Sequence, residues 1–386
     1  MTDLHVLYIS PSTLPSRTAN AVHVVQQCEG FSQNGARVEL LARRGSGSPA
    51  AARAQVLETY NVAFTNVRLS TVALPVRGAI GALAAIGLMR AIASRAARPT
   101  ILSRNLYASY GLALAGIPHF YETHQLGLGR LRRLEHFILT RPFVRTILIS
   151  AMLKTILEQH HQLRLKDALI LHDAAPSGIV RLSQDKRQLA RAELLQQAGL
   201  PPAPFVAGYF GHLYAGRGLE VIEAMAAAHG DVPFLVFGGN EADLASHRAR
   251  AHPQNLHYVG YVPHRRAQKA MLACDALLMP YQRSVSIGVE GQDTARWMSP
   301  MKMFEYMASG NAILSSDLPV LSEVLRHGQN ALLVAPDDTG AWIEALGRVR
   351  ADVGLRDAIG LQAHNDYRQH HTWERRAAAI LEASRP

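Results

Sequence analysis

The stretch 297–310 combines two charged side chains with the start of a predicted helix, and together they could bind a phosphate group. Ser299 suits the N-cap of a helix, and Pro300 suits the first helical position, where a missing N–H costs nothing. The free N–H groups and positive dipole end of such a helix attract a diphosphate. Lys302 in the first turn would need an anion nearby, and Glu305 just behind it could bind ribose hydroxyls. The pattern favours a nucleotide ligand, although an ordinary strand–helix unit with a good cap explains the local sequence equally well.

A second candidate for phosphate binding is the glycine-rich turn from Gly211 to Gly218. Gly211, Gly216 and Gly218 would let the backbone approach an anion closely, and Arg217 would neutralise the charge of that anion. A glycine-rich turn with one arginine indicates little by itself. Two phosphate-binding elements in the same half of the chain make a stronger case.

Three further candidate residues follow predicted strands. After the strand at 256–259, Tyr261 could cover one face of a nucleotide base, and the backbone around Val262 could pair with the edge of the base. Plain packing explains Tyr261 at least as well. After the strand at 118–122, His124 occupies the position where parallel sheets bind ligands. A histidine without a role at a strand end is the alternative for His124.

These residues are positioned by alternating strands and helices, which is typical of a parallel sheet covered on both faces. In the first half of the chain, strands are predicted at 5–10, 38–42, 100–104, 118–122, 144–150 and 169–171, with a polar loop at 45–54. In the second half, strands are predicted at 205–210, 234–238, 256–259, 276–279, 312–315 and 331–334. No Gly-x-Gly-x-x-Gly follows the first strand, so the dinucleotide-binding fingerprint of a dehydrogenase is missing.

A proline cluster at 199–204 ends a charged helical pattern and marks the start of the second half. We therefore predict an α/β fold with two Rossmann-like domains that face each other across a cleft. Residues 1–176 form the first predicted domain and residues 177–366 the second. Residues 367–386 are predicted to form a C-terminal helix that packs back on the first domain.

The composition is that of a globular protein with an anionic partner. The 386 residues are 48% hydrophobic and 18% charged, and the formal net charge is +10. This charge suits nucleotide phosphates, an anionic membrane surface or nucleic acid. No block of consecutive Lys and Arg indicates a nucleic-acid tail, so nucleic acid is not a predicted partner. Cys28 and Cys274 lie in apolar helical patterns and are expected to be buried thiols of a reducing compartment.

The sequence predicts a cytoplasmic protein. Its N-terminus lacks the basic and apolar regions of a signal peptide, and the apolar run at 79–89 is too short to span a bilayer. The stretch 128–139 places Arg130, Arg132 and Arg133 among leucines, as in a helix that lies on a membrane surface. A solvated basic face is the favoured interpretation, and peripheral contact with the inner face of the membrane is the alternative.

Several common catalytic motifs are missing. The sequence contains no Asp-x-Asp for a metal–diphosphate clamp, no Gly-x-Ser-x-Gly nucleophile elbow and no P-loop. His160, His161, His370 and His371 have no partners at the spacing of metal ligands and are expected at the surface. We therefore predict neither a metal site nor a bound cofactor.

The second half of the chain resembles the donor-binding domain of retaining glycosyltransferases of the GT-B fold, family 4. The resemblance rests on Gly211 to Gly218 and on residues 259–262, 275–280 and 299–310. The first half is similar at residues 17–23, 121–124 and 149–150. The resemblance implies transfer of a sugar from a UDP- or GDP-linked donor to a hydroxyl, with the anomeric configuration kept. The acceptor would be a glycan, a lipid-linked molecule or a small molecule.

The same resemblance implies roles for individual residues. Arg217 matches the family's basic residue on the diphosphate, Glu305 matches the glutamate on the ribose, and His124 matches a histidine near the reacting sugar. These three are the predicted catalytic residues. The predicted donor-binding residues are Gly211, His212, Gly216, Gly218, Tyr261, Val262, Ser299, Pro300, Met301, Lys302 and Met303. The predicted acceptor-side residues are Arg17, Asn20 and His23.

Two positions depart from the family's pattern. Trp297 replaces the first glutamate of the Glu-x7-Glu pair, and His212 replaces the arginine expected before Arg217. The missing glutamate contacts the donor sugar in the family, so the identity of the sugar is open. Asp293 or Arg296 could supply the lost contact, and so could Glu290.

Two other functions fit the same fold. One is a catalytically silent binding or scaffold protein, which the replacement of the first glutamate suggests. The other is a nucleotide-sugar epimerase, which converts the donor without an acceptor. The base, the acceptor, the linkage and the oligomeric state stay open.

Overall fold

The computed structural model describes residues 4–45, 47–73, 76–94, 98–285 and 293–385. The chain divides into two compact units. Unit 1 comprises Met1–Pro176 and Thr372–Pro386, and unit 2 comprises Ser177–His371. Residues 367–371 therefore stay with unit 2, and the return to unit 1 begins at Thr372.

The described part of unit 1 is built on a seven-stranded parallel sheet with the order β3-β2-β1-β4-β5-β6-β7. The strands are β1 (His5–Leu14), β2 (Arg37–Arg44), β3 (Val67–Val72), β4 (Thr100–Ser103), β5 (His119–Thr123), β6 (Val144–Leu148) and β7 (Leu169–Ile170). The helices are α1 (Ala19–Gln33), α2 (Pro49–Tyr60), α3 (Val76–Ala93), α4 (Leu106–Leu114), α5 (Arg130–Leu139), α6 (Ala151–His161) and, from the end of the chain, α14 (Trp373–Ala383). Side chains of β1 alternate between two buried clusters, one with Tyr8 and Phe31 and one with Ile9 and Leu83, so the sheet is covered on both faces.

The described part of unit 2 is built on a six-stranded parallel sheet with the order β10-β9-β8-β11-β12-β13. The strands are β8 (Ala207–Phe210), β9 (Phe234–Phe237), β10 (Leu256–Gly260), β11 (Ala276–Met279), β12 (Ala312–Ser316) and β13 (Leu332–Val334). The helices are α7 (Gln184–Gln197), α8 (Leu219–Ala228), α9 (Glu241–Ala249), α10 (His264–Ala273), α11 (Met301–Ser309), α12 (Thr339–Ala351) and α13 (Val353–His370). Short apolar strands such as Phe-Leu-Val-Phe in β9 are fully buried, as parallel strands covered on both faces must be.

Helix α14 packs against α1 at a contact that only glycine permits. A Cβ on Gly30 would lie 2.3 Å from the carbonyl oxygen of Trp373. The Asn34 side-chain amide donates to the carbonyl oxygen of Glu374 at 2.8 Å, and the N–H of Trp373 donates to Ala175 at 3.1 Å. The last helix is therefore part of unit 1 in both packing and hydrogen bonding.

The structure confirms the predicted α/β class and corrects two local predictions. The predicted loop at 45–54 is wrong, because α2 begins at Pro49 and the Ser48 side chain accepts a hydrogen bond from the N–H of Ala51. The predicted surface position of His161 is wrong, because its ring is buried and lies 3.0 Å from a carboxylate oxygen of Glu135. Both cysteines are buried free thiols, as predicted. Among the described residues, no helix is both long and apolar enough to cross a bilayer.

Candidate functional site

The order of the strands in unit 2 identifies an edge of the sheet where a ligand can bind. The chain places β9 and β10 on one side of β8 and then β11 and β12 on the other side. The loops after β8 and β11 therefore diverge at the carboxyl ends of these strands, and α/β sheets bind ligands at such points. The loop after β8 holds Gly211 to Gly218, and the loop after β11 holds Tyr281. The loop after β11 leads to helix α11, so both predicted phosphate-binding elements follow the carboxyl ends of strands in the same sheet.

Two of the predicted donor-binding glycines are required by contacts within the protein. A Cβ on Gly216 would lie 1.9 Å from the carbonyl oxygen of Ser284, and a Cβ on Gly218 would lie 1.8 Å from that of Pro280. The N–H of Gln282 donates to the carbonyl oxygen of Gly216 at 2.9 Å. Both glycines also have positive φ angles, of 81° and 74°. The contacts that require glycine at these two positions are therefore contacts between the two loops. The approach of an anion to these glycines stays a prediction.

Lys302 lies in an aromatic cage beside the same loops. Its Nζ lies 4.1 Å from the ring centroid of Tyr209 and 4.6 Å from that of Tyr281, and the guanidinium of Arg217 lies 5.1 Å from the Tyr281 centroid. A Cβ on Gly211 would lie 3.3 Å from this Nζ, so glycine keeps the cage open. Burial and the positive charge of Arg217 hold the pKa of Lys302 well below its ordinary value. Among the described residues, no carboxylate forms an ion pair with Lys302, and an anionic ligand would stabilise its charge.

His212 stands where the resemblance predicts an arginine, and it adds no charge. Its ring stacks on Tyr214 with the centroids 4.8 Å apart, and its carbonyl oxygen accepts a hydrogen bond from the Tyr209 hydroxyl at 2.7 Å. Burial and the charges of Arg217 and Lys302 lower the pKa of His212, so the ring is neutral at pH 7. The positive charge near this loop therefore comes from Arg217 and Lys302.

Helix α11 begins one residue later than predicted. Pro300 keeps an extended backbone, with φ −76° and ψ 120°, and is itself the N-cap, so the helix has no side-chain cap and Ser299 does not serve as one. The N–H of Met303 donates to the carbonyl oxygen of Pro300 at 2.9 Å. The N–H groups of Met301 and Lys302 lie in the first helical turn, where an α-helix supplies no carbonyl partner. These two groups, more than that of Met303, suit a phosphate.

Glu305 contacts a residue that the sequence did not single out. One of its carboxylate oxygens lies 2.5 Å from Nε2 of His264, the first residue of α10. Burial lowers the pKa of His264, but the charge and hydrogen bond of Glu305 outweigh this effect, and the net pKa is raised. The side chain of Glu305 is 13% exposed, so it can still be reached from solvent. The pair presents a carboxylate from the middle of α11 and an imidazole from the start of the neighbouring helix α10.

The base-side candidates follow β10. Tyr261 is 47% exposed, and Val262 is half-buried. Gly260 before them has a φ of 91°, and its carbonyl oxygen accepts a hydrogen bond from Gly238 at 2.8 Å. The exposed ring of Tyr261 can stack on a flat ligand, which a core tyrosine could not do.

The segment before α11 is organised around Asp293. Its Oδ1 accepts hydrogen bonds from the N–H groups of Val285 at 2.8 Å and Ala295 at 2.9 Å. This oxygen holds the loop, so Asp293 is a poor substitute for the missing sugar-binding glutamate. Arg296 is exposed, and Glu290 lies outside the described residues.

In unit 1, His124 belongs to a buried network centred on Glu122. One carboxylate oxygen of Glu122 lies 2.7 Å from Nη2 of Arg376, 2.9 Å from Nε2 of His23 and 3.0 Å from Nε2 of His124. The other ring nitrogen of His23 is 2.8 Å from Asp173. The rings of His23 and His124 meet edge to face with centroids 4.8 Å apart.

This network fixes the charges of its members. Burial raises the pKa of Glu122, but the charges of Arg376, His23 and Arg104 outweigh it and hold the pKa well below its ordinary value. Burial and the charge of Arg104 lower the pKa of His124 to about 4. Glu122 is therefore a carboxylate and His124 a neutral imidazole at pH 7.

Three ligand atoms of this network, from His23, Glu122 and His124, are close enough together to be considered for a metal ion. Both imidazole nitrogens, however, approach the same carboxylate oxygen, and the guanidinium of Arg376 already contacts that oxygen. A metal ion would need the three atoms arranged around a common centre at about 2.0–2.2 Å. The arrangement suits a charge network more than a metal site.

The acceptor-side candidates have different surroundings. His23 is only 1% exposed, so it supports His124 instead of facing an acceptor. Arg17 and Asn20 are exposed, and the Asn20 side-chain amide donates to the Ser12 hydroxyl at 2.7 Å. Only these two of the three predicted residues are accessible to a large acceptor.

Arg376 and His264 are among the residues of the network and the site that the sequence analysis does not single out. Arg376 shares the buried face of α14 with Trp373, Ala377 and Ile380, and an arginine in such an apolar stripe is a usable signal. For His264, the only signal in the sequence is its position directly after the turn that follows β10, and this signal is weak.

Comparisons with known proteins match parts of this chain. Residues 204–352 match the family model for glycosyl transferases group 1. The chain is also similar to the phosphatidyl-myo-inositol mannosyltransferase of Mycolicibacterium smegmatis, with 27% identity over 164 residues. This match covers 42% of the chain and 39% of the curated relative's length.

Two solved structures match nearly the whole chain. Alr3699/HepE of Anabaena in complex with UDP has a TM-score of 0.69 at 17% identity and covers 98% of this chain and 99% of its own. WaaG, a glycosyltransferase involved in lipopolysaccharide biosynthesis, has a TM-score of 0.65 at 13% identity and covers 97% and 98%. At these identities the likeness shows the fold, and the predicted GT-B class of two Rossmann-like units is confirmed.

Proposed function

We propose that the chain is a retaining glycosyltransferase, because residues 204–352 match the family model for glycosyl transferases group 1. It moves a sugar from a nucleotide-diphosphate donor to a hydroxyl of a glycan, lipid-linked or small-molecule acceptor. The observation that carries this proposal is the buried side-chain nitrogen of Lys302, which has no carboxylate partner among the described residues and lies beside Arg217 at a ligand-binding edge of the sheet.

The donor diphosphate is bound by unit 2. Arg217, Lys302 and the first N–H groups of α11 supply positive charge and donors for its oxygens. Glu305 accepts hydrogen bonds from the ribose hydroxyls, and His264 holds the Glu305 carboxylate in place. Tyr261 stacks on the base. We propose UDP as the nucleotide, because the structurally similar HepE protein was solved with UDP and with UDP-glucose.

Transfer proceeds by substitution on the face of the sugar from which the diphosphate leaves. The acceptor oxygen forms a bond to the anomeric carbon while the bond from that carbon to the phosphate oxygen breaks. The acceptor's proton passes to the departing phosphate oxygen. Arg217, Lys302 and the helix N–H groups stabilise the charge that develops on the leaving group, so the scheme needs no metal.

His124 acts near the reacting sugar as a neutral group. A protonated imidazole would oppose the positive charge that develops on the sugar, whereas a neutral one can orient a hydroxyl without that penalty. Glu122 and Arg376 hold the ring of His124 in one position, and its lowered pKa keeps it neutral.

We propose an acceptor at or near the inner face of the membrane. The similar mannosyltransferase and WaaG are named for phosphatidyl-myo-inositol and for lipopolysaccharide biosynthesis. On α5, the side chains of Arg130, Arg132 and Arg133 are exposed, as is Leu131. This basic face would attract anionic lipids, and the two buried thiols suit the cytoplasm.

A thermal-shift screen with UDP, GDP and their sugars, followed by a donor-turnover assay with and without EDTA, tests the proposal. We expect UDP to raise the melting temperature, because a ligand that binds only the folded state stabilises it by mass action. We also expect turnover that survives EDTA and disappears in Arg217→Met. Loss of turnover on chelation would contradict the metal-free scheme.

The other outcomes separate the alternatives. UDP binding without turnover of any donor would show a silent binding protein, which the replacement of the family glutamate by Trp297 suggests. Conversion of the donor sugar without an acceptor would show an epimerase. The absence of any nucleotide-dependent shift would refute the donor site itself.

A further inference from the structure

A cavity of about 180 Å³, lined in part by charged side chains, lies at the edge of the unit 2 sheet opposite the proposed donor site. Its lining includes Pro204, which precedes β8, and Asp275, which precedes β11. The donor site lies beyond the other ends of the same two strands. Because the strands are parallel and four residues long, about 13 Å of sheet separates the two edges.

The cavity contains more positive than negative charge. Arg191 pairs with both oxygens of the buried Asp275, at 2.8 Å and 2.9 Å. Arg187 shares one oxygen of Asp357, at 3.4 Å, with Arg181, which lies outside the lining and is 3.0 Å from that oxygen. Both carboxylates therefore already form ion pairs, and Asp357 pairs with two guanidinium groups.

Two arginines of the cavity keep a donor without an acceptor. Arg187 is 6% exposed, and its Nε has no hydrogen-bond partner in the part of the chain that the structure describes. The Nε of Arg356 is buried without a partner as well. The guanidinium of Arg356 lies 5.5 Å from the ring centroid of Phe205, and one of its other nitrogens donates to the Val349 carbonyl oxygen at 3.3 Å.

Buried, unpaired guanidinium donors are expensive, and an oxyanion removes that cost. The guanidinium group presents donors in a fixed planar arrangement that matches phosphate oxygens. Burial and the charge of Arg181 lower the pKa of Arg187, in agreement with an excess of positive charge here. The exposed residues Gln184 and Gln188 line the entrance, so an ion can enter from solvent.

We propose that this cavity is a second anion site, which binds a phosphate-class oxyanion through Arg187 and Arg356. Its volume suits a free phosphate or a small phosphomonoester, and it is too small for a nucleotide diphosphate sugar, since pockets for ligands of that size span about 300–1,000 Å³. The proposal rests on the ion pairs and unpaired donors of the cavity and does not depend on the proposed transferase activity.

Calorimetric titration of the full chain with inorganic phosphate at pH 7 tests this site. The titrations use Arg217→Met as the background, because phosphate can also bind at the proposed donor site. We expect saturable binding in this background and at least tenfold weaker binding when Arg187→Met or Arg356→Met is added. Arg350→Met is the matched control: it removes an arginine that pairs with Asp231, and it should leave the affinity unchanged.

The second arm uses glycerol 3-phosphate as the probe. Binding as tight as that of phosphate, with the same loss in Arg356→Met, supports an esterified ligand, and binding of phosphate alone supports the free ion. Arg356 is half-buried, so its variant keeps the test valid if Arg187→Met does not fold. Equal weakening by Arg350→Met, or loss of all phosphate binding in the Arg217→Met background, would overturn the proposal.

Discussion

Replacing Lys302 with methionine should stabilise the ligand-free protein and weaken its binding of UDP. The Nζ of Lys302 lies 4.1 Å and 4.6 Å from two tyrosine centroids, and cation–π contacts of desolvated groups are worth about 2 kcal/mol. Against this stands the cost of burying a charge that has no carboxylate partner among the described residues. Burial and the charge of Arg217 both lower the pKa of Lys302, so both disfavour its charged form in the ligand-free protein. Methionine keeps the apolar contact with the rings, so we expect the free energy of unfolding to rise by about 1–4 kcal/mol.

The same substitution removes a charged donor from the diphosphate. A hydrogen bond to a charged group contributes about 1.5–3 kcal/mol, which corresponds to roughly 10- to 100-fold weaker UDP binding in calorimetric titration. Lys154→Met is the control, because it removes the same charge from a surface pair with Glu158 in unit 1. The control should change neither the stability nor the affinity by a measurable amount.

The pH dependence of unfolding provides a third measurement. The folded-state pKa of Lys302 lies below its ordinary value of 10.5, so between these two pH values the unfolded chain binds more protons than the folded one. Wild-type stability should therefore rise as the pH increases through this range, relative to Lys302→Met. Wild-type affinity for UDP in the variant would refute the role of Lys302 at the diphosphate. A loss of several kcal/mol of stability would show that the tyrosine contacts outweigh the burial of the charge.

Three further predictions concern the charge networks of the two units. Glu305→Gln removes the charge that raises the pKa of His264, so this pKa should fall in an NMR titration, and UDP binding should weaken about tenfold. In wild type, His124 should titrate with a pKa of about 4, and its contribution to stability should be lost as the pH falls from 6.5 towards 4, because only the unfolded chain takes up the proton in that range. Arg376→Met leaves the buried carboxylate of Glu122 without its guanidinium partner and should lower the free energy of unfolding in urea by about 3–5 kcal/mol.

Each of these three predictions has a result that would contradict it. An unchanged pKa of His264 in Glu305→Gln would mean that the short contact between the two side chains does not control the protonation of the ring. A His124 pKa near 6.5 would contradict its burial in the network. Arg375→Met is the control for Arg376→Met, because Arg375 is exposed on the same helix, and an equal loss of stability in both variants would refute the argument from Glu122.

The sequence was sufficient for the fold because periodicity and turn chemistry are local. Buried apolar runs predicted most strands. The predicted loop at 45–54 is wrong because small residues favour a loop only where no capped helix competes, and here a helix forms from Pro49. Ser48 followed by Pro49 was in fact the same cap-and-proline pattern that was recognised at 299–300. At 299–300, in turn, the helix began one residue late, since the backbone of Pro300 stays extended.

The site was less predictable because its contacts join residues far apart in the chain. Glu122 and Arg376 are 254 positions apart, and His264 and Glu305 are 41 apart. No spacing rule connects such pairs. Gly216 shows the complementary limit: the sequence marks its position, but the neighbouring carbonyl that requires a glycine there belongs to another loop.

The two units differ in how the charges of their candidate residues are balanced. This difference predicts in which unit a bound ligand can stabilise a charge. In unit 1, the carboxylate of Glu122 is surrounded by Arg376 and two imidazoles, so His124 is held in place before any ligand arrives. In unit 2, the ammonium of Lys302 is held by aromatic rings and lacks a carboxylate among the described residues. A bound anion would favour and balance the charged form of Lys302. Changes to the network of unit 1 should therefore appear first as lost stability, whereas changes at Lys302 should appear as lost nucleotide affinity in a protein that folds at least as well as before.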